Sequence, residues 1–225
     1  IGHDGDGDRL AVVGPDGEMV HEDTVLAVIA ERYVRDSDAG DPVVVTTPNA
    51  SGRIDERVAA AGGRTERVAL GVLHEGIARE RAAGGDDTEI VFAAEPWKHV
   101  HPAFGGWIDA IVSAGLIAAL TAEAGGLDRL TADVVEQPYR KVSVECPDGA
   151  KADAMERIAS ELPAAFEASD VDTEYGVRVE LGGGGWVLVR PSGTEPYVRI
   201  YAEDEAVDSV VATARGVVET SIASV

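Results

Sequence analysis

Between Val43 and Ala124, short β-branched runs alternate with helical stretches that stop at paired glycines. Residues 43–47 form a continuous run of valine and threonine, the composition of a strand buried on both faces. Upstream, residues 22–35 carry Val25, Ile29 and Tyr33 one helical turn apart, with Leu26 and Ala30 beside them, which predicts an amphipathic helix. The spacing then predicts a helix over 54–61 closed by Gly62-Gly63, a short strand over 67–70 and a helix over 73–83 closed by Gly84-Gly85. A strand over 89–94 follows, then a loop over 95–107 rich in Trp, His and Pro, and a long helix over 108–124 closed by Gly125-Gly126. Strands alternating with helices dictate an α/β class: a three-layer α/β/α domain around a mostly parallel sheet. Sites in such sheets lie beyond the carboxyl ends of the strands, which singles out the 95–107 loop.

From about Leu130 the rhythm changes. Strands are predicted over 139–146, 177–181, 186–190 and 197–202, with helices over 152–166 and 205–224; Pro163 disturbs the last turn of the first. Four strands joined by tight turns, with two helices, make a small α+β domain with an antiparallel sheet. The boundary is expected near residues 125–130.

Bulk chemistry removes whole classes of function. Forty-one acids against nineteen bases leave a net charge of −22, and only Lys98, Lys141 and Lys151 are lysines. Such a field repels nucleic acid and anionic membranes, so neither is an expected partner. The acids are spread along the chain rather than gathered in a tail, the pattern of a solvated folded surface in a salt-loving source. No run approaches the ~20 apolar residues of a membrane span. The single cysteine, Cys146, has no internal partner for a disulfide, which places the chain in a reducing cytoplasm. The first residue is Ile rather than Met, so the chain is read as a piece of a longer protein.

Three loops carry chemistry. Asp4-Gly5-Asp6-Gly7-Asp8-Arg9 sets three carboxylates at alternate positions with glycines between, a pattern that folds oxygens around one hard divalent cation. An EF-hand also begins in this way, but its glycine and bidentate glutamate positions hold Arg9 and Pro15 here, so that reading is rejected, and a calcium-binding surface protein would need more oxygen ligands than this loop offers. A plain acidic turn is the bland alternative. Arg190-Pro191-Ser192-Gly193-Thr194-Glu195-Pro196 offers a guanidinium, two hydroxyls and backbone N–H groups around a glycine, either an anion cradle or a polar strand connection. Arg199, in the next strand, either touches that anion or buttresses the loop. Glu95-Pro96-Trp97-Lys98-His99-Val100-His101 gathers an acid, a base and two imidazoles. It lacks the third ligand of a zinc site and reads better as a polar pocket. Asp109 reads as an acid capping the helix that follows.

In this order the three loops resemble the α-D-phosphohexomutases, the family of phosphoglucomutase, phosphomannomutase and phosphoglucosamine mutase. The first and third motifs match almost completely. The resemblance implies that residues 1–20 end the family's second domain, 21–127 form its third and 128–225 its fourth, phosphate-binding domain. It implies an isomerase that interconverts hexose 1-phosphate and 6-phosphate through a phosphoserine and a bisphosphorylated sugar. Asp4, Asp6 and Asp8 would hold Mg²⁺, with Arg9 and His99 as catalytic groups. Glu95, Lys98, Arg190, Ser192, Gly193, Thr194 and Arg199 would bind the phosphosugar. A sugar bisphosphate is the implied activator. The sugar loop departs from the Gly-Glu-x-Ser-Gly-His of many relatives: Glu95 and His99 keep their places, while Trp97 replaces the serine and Lys98 the glycine. Asp109-Ala110-Ile111 stands where Asp-Gly-Ile is usual. No serine here is followed by histidine, so the phosphoserine loop is missing along with the N-terminal domains, which become implied partners. A non-catalytic phosphosugar- or anion-binding module is the alternative that this absence supports.

Overall fold

Val43, Val44 and Val45 are buried at the centre of a four-stranded sheet, as their run of β-branched side chains requires. The computed structural model describes residues 1–168 and 170–225, which divide into two units, Ile1–Glu136 and Gln137–Val225. In the first, a short antiparallel pair, β1 (Gly2–His3) and β2 (Leu10–Ala11), carries the acidic loop between its strands. Next come α1 (Glu22–Asp36), β3 (Asp41–Thr46), α2 (Gly52–Ala60), β4 (Arg64–Arg67), α3 (Leu73–Ala83), β5 (Thr88–Glu95), β6 (Lys98–Val100), α4 (Ala110–Ala124) and α5 (Leu127–Thr131). The order across the sheet is β4-β3-β5-β6, with β4 and β5 parallel to β3 and β6 antiparallel to β5. One face packs Val44, Phe92 and Ala94 against Ile29, Ile54 and Ile117 of α1, α2 and α4. The other packs Val43, Val45 and Ile90 against Leu73 and Ile77 of α3, completing three layers. The helix ends follow the sequence. Ser51 accepts from the Arg53 N–H to start α2, Asp109 caps α4, and Gly125 closes α4 at φ 78°.

The second unit contains β7 (Tyr139–Glu145), α6 (Lys151–Ala165), β8 (Val171–Asp172), β9 (Val177–Glu180), β10 (Trp186–Pro191), β11 (Tyr197–Glu203) and α7 (Val207–Ala223). Its sheet is antiparallel throughout, in the order β7-β11-β10-β9-β8. Ile158 and Leu162 of α6, with Ala214 and Val218 of α7, pack on Val177, Val187, Val198 and Ile200. The opposite face carries Trp186, Leu188 and Tyr201, and the Arg178 guanidinium lies 4.1 Å from the centre of the Trp186 ring.

The α/β/α and α+β architectures agree with the sequence reading. Four details differ. This sheet has a fifth strand, the two-residue β8, too short to carry a periodicity. Strand β4 lies three residues earlier than the expected 67–70; it is charged, and its Arg64 and Arg67 pair with Asp41 and Asp55 at 2.8 and 2.6 Å rather than entering the core. The 95–107 loop contains β6. The unit boundary falls after Glu136, because Val134 is buried in the first core and the Thr24 hydroxyl donates to Glu136. Leu10 and Val12 are buried there too, so residues 1–20 pack as part of the first unit.

Candidate functional site

Backbone pairing joins the acidic loop to the sugar loop. Strand β5 turns back into β6 through only Pro96 and Trp97, so Glu95 pairs with Lys98. Trp97 adopts φ 72°, a left-handed conformation that favours glycine, and its carbonyl accepts from the Leu10 N–H at 3.2 Å. Arg9 and Lys98 form an antiparallel bridge alongside. The two loops are thereby held side by side.

Within the acidic loop, Gly7 N–H closes on the Asp4 carbonyl at 3.2 Å. Asp4, Asp6 and Asp8 each offer an oxygen within 4.8 Å of the others. Three carboxylate oxygens gathered this closely have the chemistry of a donor set for a hard divalent cation such as Mg²⁺. The protein's own cations line the triad. Arg9 Nε lies 2.5 Å from Asp4 Oδ2 and 3.7 Å from Asp8 Oδ1, and Lys98 Nζ lies 3.0 Å from Asp8 Oδ2. Asp8 holds the Lys98 ammonium above the ordinary lysine range, against a smaller desolvation.

Glu95 sits at the carboxyl end of β5 with its Oε2 accepting from the Gly71 N–H at 3.0 Å. Around it opens a cleft of about 230 Å³ lined by Gly71, His74, Glu95, Gly106, Trp107 and Ile108. The Trp107 indole is 60% exposed, and its N–H lies 3.3 Å from Asp109 Oδ2. Asp109 also accepts from the N–H groups of Ile111 and Val112, which keep its carboxyl below the usual range. A cap role was its sequence reading.

His99 faces inward. It is 2% exposed, and its Nδ1 meets the Ser113 hydroxyl at 2.7 Å. His101, 1% exposed, meets the same hydroxyl through Nε2 at 2.8 Å and Tyr33 OH through Nδ1 at 2.8 Å. Burial drives the two imidazoles down to about 3 and about 4, with His101 adding to the effect on His99. His99 thus lies in the core of this unit as a neutral imidazole. No spacing in the sequence announces this arrangement, because Ser113 lies on helix α4 and His99 on strand β6.

In the second unit, residues 190–196 leave β10 and enter β11. Ser192 N–H donates to the Tyr197 carbonyl at 2.9 Å, and the Ser192 residue is buried, while Gly193 and Thr194 are exposed. Lys151, missed as a site residue, braces the loop: its ammonium lies 2.7 Å from the Ser192 carbonyl and 2.6 Å from the Glu195 carbonyl. The scarcity of lysine was the available signal. Arg190 and Arg199 stand directly opposite each other across the strands. Arg199 pairs with Glu195, so it buttresses the loop in this structure. Among the described residues the Arg190 guanidinium makes no hydrogen bond or ion pair.

Residues 142–218 match the family described as phosphoglucomutase/phosphomannomutase, C-terminal domain. The chain is 43% identical over 205 residues to the phosphopentomutase of Thermococcus kodakarensis, covering 90% of this chain and 43% of that protein. It is 38% identical over 210 residues to a probable phosphoglucosamine mutase of Methanopyrus kandleri, covering 92% and 44%. Its C-terminal stretch thus matches a phosphoglucomutase/phosphomannomutase domain, and most of the chain aligns with sugar-phosphate mutases. A solved phosphoglucomutase/phosphomannomutase family protein from Burkholderia thailandensis shares the fold, with a TM-score of 0.76 at 22% identity over 97% of this chain and 46% of that one. The N-acetylphosphoglucosamine mutase of Aspergillus fumigatus, solved with GlcNAc-6P and magnesium, has a TM-score of 0.65 at 18% identity. The chain spans about half the length of the relatives it matches.

Proposed function

We propose that this chain is the metal-, sugar- and phosphate-binding half of a mutase that interconverts hexose 1-phosphate and hexose 6-phosphate through a phosphoserine and a bisphosphorylated sugar. Asp4, Asp6 and Asp8 hold Mg²⁺, which when bound neutralises charge on the phosphoryl group being transferred. Arg9 and Lys98 add positive charge beside it, and Glu95 accepts from the sugar hydroxyls in its cleft. Arg190, the Ser192 and Thr194 hydroxyls and the N–H groups around Gly193 grip the phosphate that does not react, on a loop that Arg199 and Lys151 hold in shape. Phosphoryl transfer needs chiefly positioning and charge neutralisation, and those are what these residues supply. The chain spans under half the length of these relatives, so the phosphoserine is assigned to the part of them that it does not cover, and turnover to a longer protein. The name of the Thermococcus relative makes a pentose phosphate the second sugar to assay.

Arg190 carries the reading. Acids outnumber bases 41 to 19, yet this guanidinium has no acidic partner and faces another arginine across the ladder. Like charges directly opposed are unfavourable, and a bound anion relieves them. Titration with inorganic phosphate, followed by the NMR shifts of the Ser192, Gly193 and Thr194 amides, tests it. Binding in the range of ~1–10 mM is expected, since ordering and the −22 field oppose the attraction. Arg190→Ala should remove most of it. Amides that stay still, or move equally in Arg190→Ala, would leave the loop a strand connection, the state in which the chain has no phosphate grip at all.

A further inference from the structure

Lys98 is placed by backbone, not by a chance surface contact. The two-residue turn at Pro96-Trp97, the left-handed Trp97, the Leu10-to-Trp97 hydrogen bond and the Arg9–Lys98 bridge fix the start of its side chain beside the triad. The ammonium then lies 3.0 Å from Asp8 Oδ2. Its side chain keeps 33% of its exposure, so the flexible stem has room to swing away. It is one of only three lysines in the chain. A change of partner is the move open to its flexible stem.

A divalent cation entering the triad needs an Asp8 oxygen, and the ammonium competes for the same charge. We propose that Lys98 is the resident counter-ion of the Asp4–Asp6–Asp8 triad, displaced from Asp8 when metal binds and thereby released to pair with the phosphoryl group of the sugar. The inference rests on the reading of the triad as a metal site. Its consequence is coupling: metal binding frees a cation for the phosphosugar, and a phosphosugar that draws Lys98 away strengthens metal binding by the same factor.

The test is Mn²⁺ binding to the 225-residue chain, read from the electron paramagnetic resonance signal of the free ion, with and without glucose 6-phosphate and corrected for Mn²⁺ that the sugar phosphate holds in solution. Lys98→Met, which removes the competitor, should bind Mn²⁺ about tenfold more tightly than wild type, equivalent to ~1.4 kcal/mol. Glucose 6-phosphate should tighten Mn²⁺ binding to wild type and to Lys98→Arg, but leave Lys98→Met unchanged. Equal Mn²⁺ affinities in wild type and Lys98→Met overturn the proposal. Asp6→Asn separates the two readings. If it abolishes binding while Lys98→Met matches wild type, the triad stands and the role of Lys98 falls. If it changes nothing, or if no variant binds Mn²⁺ at ~10 mM, the metal reading falls and takes this one with it.

Discussion

The Ser113 hydroxyl has one hydrogen and two lone pairs, and three groups meet it: His99 Nδ1 at 2.7 Å, His101 Nε2 at 2.8 Å and the Asp109 carbonyl at 3.3 Å. A one-way chain of donors through Tyr33, His101, Ser113 and His99 can run in either direction with both imidazoles neutral, and it places the single Ser113 hydrogen on a histidine nitrogen rather than on the Asp109 carbonyl. Burial enforces the same state, placing the imidazoles at about 3 and about 4. The sign of the pH effect follows. Unfolded imidazoles take up protons below pH ~6.5, whereas the folded pair does not until the pH nears those lower values, so stability is intact above pH ~6.5 and is lost as the pH falls. Between pH 7 and pH 5.5 the pair should cost roughly 2–3 kcal/mol of unfolding free energy. Most carboxylates do not yet titrate in that interval, and urea unfolding at the two values measures the loss. Nitrogen-15 spectra give the decisive reading: a charged His99 or His101 ring in the folded protein at pH 5.5 contradicts the chain of donors.

At the scale of elements, helix α3 lies against the sheet through a residue with no side chain. An ideal Cβ on Gly76 would stand 2.4 Å from Val68 Cγ1 and 2.9 Å from Val45 Cγ1. Gly76→Ala gains ~1 kcal/mol of helix propensity, but relieving those overlaps costs ~1–3 kcal/mol, so the overlap wins and a net loss near 1 kcal/mol is expected. Gly115→Ala in α4 is the control: its Cβ meets nothing within 4 Å, so only the propensity gain remains and stability should rise. Urea midpoints that shift in the same direction for both variants would contradict the packing of α3. The elements that the sequence made legible are those with a local signal. Helix α3 begins and ends at the residues expected, and β3 is visible in its valines. Strands β4, β6 and β8 carry too few residues, or too many charges, for a period of two to show. The candidate site divides in the same way. The alternating aspartates and the Arg-Pro-Ser-Gly-Thr-Glu-Pro stretch are readable because each loop brings its own donors. The Arg9–Lys98 bridge, the hydroxyl shared by His99 and His101, and the Lys151 brace join residues far apart in sequence, and only folding brings them together.

For the molecule as a whole, charge decides how stability responds to its surroundings. A net charge of −22 on 225 residues makes the folded state repel itself. Ion pairs pull the other way: Arg64 reaches Asp41, Glu66 and Glu80 at 2.8, 2.5 and 3.2 Å, and Arg57 reaches Glu31 at 2.5 Å. Salt screens both effects, so its net action depends on which is larger. Partly exposed pairs contribute ~0–1 kcal/mol each, and nineteen bases cannot pair forty-one acids, so unpaired repulsion is the larger effect. The screening length falls from ~10 Å at 0.1 M to ~3 Å at 1 M. Raising KCl across that interval should therefore stabilise the chain, by ~1–2 kcal/mol, a rise in Tm of roughly 2–8 °C. Chloride is the anion to use, because sulfate strengthens apolar burial in any protein and would mask the electrostatic effect. Glu18, Glu56 and Glu156 are exposed, and replacing all three by lysine removes six units of net negative charge at positions outside the cores. That variant should melt at a higher temperature than wild type in 0.1 M KCl and gain less from added salt. A Tm that stays flat or falls as KCl rises, in wild type and triple variant alike, would mean that the arginine ion pairs, and not self-repulsion, govern the stability of this acidic chain.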